Sequence, residues 1–290
     1  MAKEPRKYAS AAAFRRALED RLKLIAKTEK LDLQRLMRAA AFDRLLARLF
    51  ARADAPWVLK GGYALELRIK EARATRDIDL ALREAPGKER GAPINDAIFA
   101  ALEESAAKDL EDFFSFIVAP AMAELDGAPY GGARFPVDAR LDGRSFVRFH
   151  VDVGVGDVVL GPLEMTEGRD WLEFAGIPAA ACPTISREQH FSEKVHAYTM
   201  PRSVPNTRVR DLVDMVLLVR MGLDAGKSSA AIAATFKRRG THPVPKKLEA
   251  PPAAWAAPFA GLAEECGLST EIGAAYAEAA RYYSSLRVRT

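Results

Sequence analysis

Two aspartates separated by one residue, Asp77 and Asp79, are the first candidates for chemistry in this chain of 290 residues. Alternate residues of a strand point to the same face, so both carboxylates are expected to project together. Carboxylates this close repel each other unless a cation lies between them. Hard divalent ions such as Mg²⁺ prefer such oxygen ligands, so the pair predicts a metal site. The alternative is a solvated strand edge that holds no metal.

A glycine pair, Gly61 and Gly62, precedes the aspartates, where a short apolar run ends and a helix is predicted to begin. Glycines allow backbone N–H groups to approach an anion at a helix N-terminus. The pair is therefore predicted to cradle phosphates. Lys60 and Arg76 flank the two motifs and could contact phosphate or hold the carboxylates. Metal beside phosphate is the chemistry of nucleotide transfer.

A third carboxylate, Asp152, lies in an apolar segment predicted to be a strand. An unpaired carboxylate is costly there, so Asp152 is predicted to complete a two-metal clamp with the Asp-x-Asp pair. The alternative is a salt bridge to a neighbouring arginine. The nearby His150 is assigned to the other strand face and to a structural role.

The elements that must position these residues are predicted from periodicity and turn signals. Asp142-Gly143 predicts a hairpin, because Asp-Gly tolerates positive φ. The pattern predicts an α+β fold with a mixed β-sheet core flanked by helices, divided into domains 1–185 and 186–290, the second helical. Strands are expected at 57–60, 77–82, 132–140 and 145–155. Helices are expected at 9–28 (capped by Ser10), 32–53, 62–69, 94–118, 186–200, 206–223, 227–239 and 268–286, with a proline-rich connector at 241–258.

The order of these motifs resembles the nucleotidyltransferase superfamily, in which Gly-Gly or Gly-Ser precedes Asp-x-Asp and a third aspartate follows on a later strand. More narrowly, the chain resembles the AbiEii/AbiGii-type toxins of bacterial toxin–antitoxin and phage-defence systems, which include the MenT toxins. Here Gly-Gly stands where many members have Gly-Ser. The segments that carry the resemblance are 58–65, 72–80, 150–157, 192–197 and 208–215.

The resemblance implies a Mg²⁺-dependent enzyme, with Mn²⁺ as the alternative cation, that transfers a nucleoside monophosphate from an NTP to an acceptor hydroxyl. A tRNA 3′ end is the leading acceptor, and a separate antitoxin is the implied protein partner. Lys194 would contact the triphosphate, the alternative being a surface lysine. Asp211 is favoured as the acidic site residue and Asp214 as a further nucleotide-binding residue, the alternative for Asp211 being surface pairing with Arg208 and Arg210.

Composition limits the setting and the partners. The formal net charge is +4, with basic residues in excess at both ends and acidic residues in excess in the centre. The run Lys237-Arg238-Arg239, with Lys246 and Lys247, is the densest positive patch and fits an RNA partner, although a solubilising helix end is an alternative. The possible base-stacking residues are Trp171, Trp255, Tyr282 and Tyr283, for which packing is the alternative role.

No apolar run reaches the length of a membrane span, and the N-terminus is polar, so a cytoplasmic protein is expected. Cys182 and Cys266 match no metal or redox spacing. Two other functions stay open. One is a nucleotidyltransferase that modifies a protein or a small molecule, and the other is a catalytically silent binding module.

Overall fold

The computed structural model describes residues 8–69, 71–83, 92–125, 127–203 and 206–288. Contacts divide the chain into two compact units. Unit 1 comprises Met1–Arg68, Ala74–Gly156 and Met165–Thr184, and unit 2 comprises Ile69–Arg73, Asp157–Glu164 and Ile185–Thr290. The division into domains 1–185 and 186–290 stays a prediction.

Unit 1 is built on a mixed sheet whose described strands follow the order β3-β5-β6-β2-β1-β8-β7, with β4 paired to β5. Strand β2 is antiparallel to β1 and parallel to β6. The α+β prediction with a mixed sheet is confirmed. The strands are β1 (Trp57–Lys60), β2 (Asp77–Leu82), β3 (Phe114–Val118), β4 (Ala123–Glu124), β5 (Gly132–Leu141), β6 (Arg144–Gly154), β7 (Glu164–Glu167) and β8 (Ala181–Thr184).

The helices of unit 1 cover this sheet with apolar side chains. Ser10 caps the first helix and Asp32 the second, each accepting a hydrogen bond from a backbone N–H of the first turn. Phe42 of the second helix packs edge-on against Tyr63 and Phe149, with ring centroids 4.8 and 4.7 Å away. These helices are α1 (Ala11–Glu29), α2 (Leu33–Leu49), α3 (Gly61–Arg68) and α4 (Ala92–Ala106).

The β5–β6 hairpin turns at Asp142 and Gly143, with φ of 55° and 67°, as the Asp-Gly signal predicts. Leu141 pairs with Arg144, but an irregularity next to Ala139 shifts the pairing by one residue further along. Such a bulge changes which residues face each other over the rest of the ladder. The bulge therefore determines which residue of β5, namely Arg134, lies opposite Asp152 of β6.

Unit 2 is a helical bundle in which α6 is the most buried helix, packed against α5, α8 and α9. Side chains cap two helices at their start, Ser186 on α5 and Asp224 on α7. The bundle contains α5 (Arg187–Thr199), α6 (Val209–Arg220), α7 (Ala225–Arg239), α8 (Ala256–Glu265) and α9 (Ile272–Ser285). Over the described residues, no helix is both long and apolar enough to cross a membrane.

The predicted helix 94–118 is wrong in its second half, because the chain leaves α4 at Ala106 and forms strand β3. Glu111 and Phe113 have φ of 55° and 63°, a backbone conformation that no helix tolerates. Between them the fully buried Asp112 accepts hydrogen bonds from Arg44 and Arg48 of α2 at 2.7–2.9 Å. This long-range ion pair holds the turn.

Other sequence boundaries differ less. Helix 32–53 ends at Leu49, four residues early, and helix 268–286 begins only at Ile272. The connector predicted at 241–258 contains the start of α8. Strands β4, β7 and β8 are two to four residues long, too short for a periodicity of two to be visible in the sequence.

Candidate functional site

The glycine turn between β1 and α3 is shaped around the carboxylate of Asp79. Gly61 has φ of +65°, and a Cβ atom placed on it would overlap the Asp79 side chain. The Gly62 N–H donates to Asp79 Oδ2 at 3.4 Å. Helix N-termini favour negative charge, so the start of α3 stabilises this carboxylate. The structure thus shows the glycine pair against the Asp79 carboxylate. Its contact with phosphate stays a prediction.

Four charged residues form a continuous row across four neighbouring strands. Lys60 of β1 pairs in register with Asp79 of β2, and Asp79 pairs with Asp152 of β6. On the far side Asp152 pairs with Arg134 of β5. The row therefore reads cation, anion, anion, cation. Like charges directly opposite each other destabilise a sheet, and the two flanking cations offset that repulsion.

Arg134 is the residue that sequence reasoning missed. Its Nε and Nη2 donate to the two Asp152 carboxylate oxygens, both at 2.8 Å, and Nη2 also lies 3.5 Å from Asp77 Oδ2. These carboxylates, Asp152 foremost, raise the pKa of Arg134 above its ordinary value, so the guanidinium is a permanent counter-cation. The alternative for Asp152, a salt bridge to a neighbouring arginine, is thus observed.

The assignment of His150 to the opposite strand face is wrong. His150 and Asp152 are two residues apart and share a face, and His150 is the register partner of Asp77 on β2. Its Nδ1 lies 3.3 Å from Asp77 Oδ1. His150 therefore belongs to the carboxylate cluster.

The chemistry of the cluster suits a hard divalent cation, because Asp77, Asp79 and Asp152 offer only carboxylate oxygens. Asp77 and Asp79 are half-buried, whereas Ile78 between them is buried, as expected for a shared face. Over the described ranges, however, no group of three acidic, histidine or cysteine side chains is arranged to hold a metal ion. The Arg134 guanidinium already occupies both oxygens of Asp152.

A half-buried carboxylate contacts the segment that leads into β2. Glu66 of α3 accepts from Arg35 Nε at 2.8 Å and from the Thr75 backbone N–H at 3.1 Å. This links the end of α3 to the segment just before Asp77. Arg76, which the sequence nominated for phosphate or carboxylate contact, is exposed here.

Unit 2 brings together the other predicted site residues. Lys194 Nζ of α5 lies 2.8 Å from Asp214 Oδ2 and 3.1 Å from Asp211 Oδ1, both on α6. The Lys194 side chain is only 14% exposed, so the surface-lysine alternative is wrong. Burial lowers its pKa, but Asp214 and Asp211 outweigh burial and raise it above the ordinary value. Arg208 lies 3.9 Å from Asp211, as the pairing alternative expected.

Asp214 is the centre of this group, although the sequence favoured Asp211. It is fully buried, and its two oxygens accept from Arg73 Nε and Nη2 at 2.9 and 2.8 Å. Burial alone would raise the Asp214 pKa, but Lys194 and Arg73 hold it well below its usual range. With both oxygens engaged, the geometry favours positioning of Lys194 over direct contact with a nucleotide.

The predicted basic patch loses one member. Arg239 is 11% exposed and pairs with Asp157 at 2.9 Å and Glu193 at 3.6 Å. It is therefore a structural residue of unit 2. Lys237 and Arg238 on the same helix end are exposed.

Comparison with known proteins identifies the family. Residues 44–278 match the family described as nucleotidyl transferase AbiEii toxin, type IV TA system. The chain belongs to this family. It is therefore a nucleotidyltransferase of the toxin–antitoxin class. The family and the enzyme class predicted from the sequence are confirmed.

A solved structure of a nucleotidyltransferase toxin shares the fold of this chain. MenT4, nucleotidyltransferase toxin Rv2826c from Mycobacterium tuberculosis H37Rv, has a TM-score of 0.55 at 16% identity, with 94% of each chain covered. JHP933 from Helicobacter pylori has a TM-score of 0.46 at 12% identity, with 87% of this chain and 91% of that chain covered. No curated protein sequence matches significantly. At these identities the likeness to MenT4 shows the fold alone.

Replacing Gly61 by alanine is expected to displace the Asp79 carboxylate in this AbiEii protein. Gly61→Ala should lower the free energy of unfolding by clearly more than the roughly 1 kcal/mol that positive φ alone costs. The matched control is Gly143→Ala, where φ is +67° and a Cβ would meet no atom within 4 Å. Chemical denaturation of both variants measures the difference. Equal destabilisation would show that Asp79 does not depend on Gly61.

Removing the Arg134 guanidinium should expose the repulsion within the acidic row. Arg134→Gln is expected to lower the free energy of unfolding by about 1–2 kcal/mol, less than for a fully buried pair because Arg134 is 35% exposed. The control is Arg144→Gln, whose exposed pair with Asp142 should contribute less than about 0.5 kcal/mol. If both variants unfold at the same denaturant concentration as the unchanged protein, Arg134 does not stabilise the cluster.

The Lys194 group makes a pH-dependent prediction. Asp214→Asn leaves two buried cations short of a partner and should cost about 3–5 kcal/mol at neutral pH. Asp211→Asn should cost less, because Asp214 still holds Lys194. The folded pKa of Asp214 is lowered, so its contribution is complete above the unfolded value of about 4 and is lost as pH falls below it. The difference in free energy of unfolding between the unchanged protein and Asp214→Asn, measured by chemical denaturation, should therefore become smaller as the pH falls. A difference that does not change with pH contradicts the assignment of Asp214.

Proposed function

We propose that this AbiEii-family enzyme takes a nucleotidyl group from an NTP and, with Mg²⁺ or Mn²⁺, transfers it to an acceptor hydroxyl. The observation that carries the proposal is the pairing of Asp79 with Asp152 across β2 and β6, with the Gly61–Gly62 turn against Asp79. Two facing carboxylates beside a helix N-terminus suit a cation and a phosphate together. Family membership supplies the reaction class.

Asp77 and Asp79 are the proposed cation ligands, with Asp152 as the third. A divalent ion bound there would neutralise charge on the phosphates and lower the pKa of the acceptor hydroxyl. Arg134 holds Asp152 by a bidentate ion pair and so offsets the negative charge of the row. Because Arg134 also lies near Asp77, its guanidinium stays beside two of the proposed cation ligands.

The backbone N–H groups at the start of α3 are proposed to donate to the triphosphate. Lys60 would contribute positive charge beside Asp79, since it is the next residue of the row. The proposed actions of Lys194 and Asp211 on the nucleotide come from the family resemblance, whereas that of Arg76 comes from its position beside the Asp-x-Asp motif. Positioning and charge neutralisation would account for most of the rate, because the chemistry of nucleotidyl transfer needs little else from the protein.

An RNA acceptor, with a tRNA 3′ end as the leading candidate, is proposed from the family resemblance and from the basic ends of the chain. Lys237, Arg238, Lys246 and Lys247 are exposed and could contact RNA phosphates. A cognate antitoxin is the proposed protein partner, and the cytoplasm is the proposed location. The RNA acceptor and the antitoxin partner are proposed for a protein that catalyses this nucleotidyl transfer.

The test uses purified protein incubated with total RNA and, in turn, each NTP labelled at the α-phosphate. We expect label in tRNA-sized material, and Asp79→Asn should reduce transfer by at least about a hundredfold. The control is Asp142→Asn, because Asn tolerates the turn conformation of that residue. Undiminished transfer by Asp79→Asn would overturn the proposed site. Label in protein instead of RNA would overturn the proposed acceptor.

A further inference from the structure

A cavity of about 430 Å³ lies within unit 2, between the end of α5 and the chain that connects α7 to α8. Its volume falls in the range of pockets that hold small organic ligands. None of its lining residues belongs to the acidic row of unit 1. The members that could bind a ligand are Tyr198, Arg202, Lys247, Glu249 and Trp255.

The aromatic wall of this cavity is preformed. The Tyr198 hydroxyl donates to the Glu249 carbonyl at 2.8 Å, and the Trp255 indole N–H donates to the Asn206 carbonyl at 2.6 Å. The two rings pack edge to face with centroids 5.7 Å apart. Their polar atoms are thus satisfied by the protein, and both side chains are buried, so that only a small apolar part of each ring lines the cavity.

Arg202 is the unexplained group of the cavity. Its Nε and Nη2 are shielded from solvent and have no hydrogen-bond partner among the described residues. The same edge of the guanidinium makes a bidentate pair elsewhere in this chain, in Arg73–Asp214 and in Arg134–Asp152. A shielded guanidinium edge without an acceptor is costly, so Arg202 lacks the anion that these other arginines have.

The surrounding charges favour a phosphate over a carboxylate. Lys247 adds a second cation to the lining, and Arg208 acts on Arg202 with a further positive charge. The opposing carboxylates are Glu249, which is exposed, and Asp211, which is already paired with Lys194. A phosphate monoester carries nearly two negative charges at neutral pH and matches this excess better than a single carboxylate does.

We propose that this cavity binds the phosphate monoester of a nucleotide, either free or at the end of an RNA chain. Arg202 would bind the phosphate through its guanidinium, and Lys247 would be the second cation. The base would lie against the apolar part of the lining, to which Trp255 and Tyr198 contribute. The proposal does not rest on the transfer reaction, since it uses none of the residues of the acidic row.

The test is isothermal titration calorimetry on the full chain with EDTA present, so that no divalent cation supports nucleotide binding elsewhere. The probes are AMP, adenosine, inorganic phosphate, N-acetylglutamate and a short RNA with or without a 5′-phosphate. We expect saturable binding of AMP or of the phosphorylated RNA. Adenosine and unphosphorylated RNA should bind at least about tenfold more weakly, because a charge-assisted bidentate contact is lost.

Variants assign that binding to the cavity. Arg202→Gln should weaken it by at least about tenfold and Lys247→Gln by several-fold. Arg281→Gln, on the exposed face of α9, should leave it unchanged. Tighter binding of AMP than of RNA identifies a small-molecule site, and the reverse identifies an RNA end. The proposal is overturned if Arg202→Gln binds as tightly as the unchanged protein, if N-acetylglutamate binds best, or if no phosphate probe saturates below about 10 mM.

Discussion

The repulsion between Asp79 and Asp152 is the constraint on which the rest of unit 1 depends. Parallel pairing of β2 with β6 sets the two carboxylates opposite each other, and like charges in that position destabilise a sheet. The flanking residues of the row, Lys60 and Arg134, and the N-terminus of α3 offset it. The fold thus concentrates negative charge at these strands and places positive charge on both sides of it.

Ion pairs between arginine and aspartate also fix the positions of charged side chains, which the local sequence does not determine. In unit 1, Arg48 and the buried Asp112 hold the turn into β3. In unit 2, Arg73 holds Asp214, which in turn orients Lys194. Such pairs are poor sources of net stability, but removing one partner is strongly destabilising. Their value here is geometric, because each determines where one charged side chain points.

Local sequence signals predicted the strand–glycine–helix–strand order, the Asp142–Gly143 hairpin and the family correctly, since turn chemistry and motif order are local properties. Arg134 was not predictable in the same way. An unbroken ladder from the hairpin would set Arg134 opposite Val151, and only the bulge near Ala139 moves it to Asp152. Asp112 and Arg73 have partners far away in the sequence, which no periodicity reveals. The motifs therefore identify the acidic site, whereas its counter-ions depend on long-range register.

Binding of Mn²⁺, followed by the electron paramagnetic resonance signal of the free ion, tests the central claim most directly. The account predicts that the protein with a non-hydrolysable NTP depletes free Mn²⁺ beyond the depletion by the same NTP without protein, that Asp142→Asn does so equally, and that Asp79→Asn adds no depletion. Equal depletion by the unchanged protein and by Asp79→Asn would contradict the claim that the paired carboxylates of β2 and β6 form the cation site.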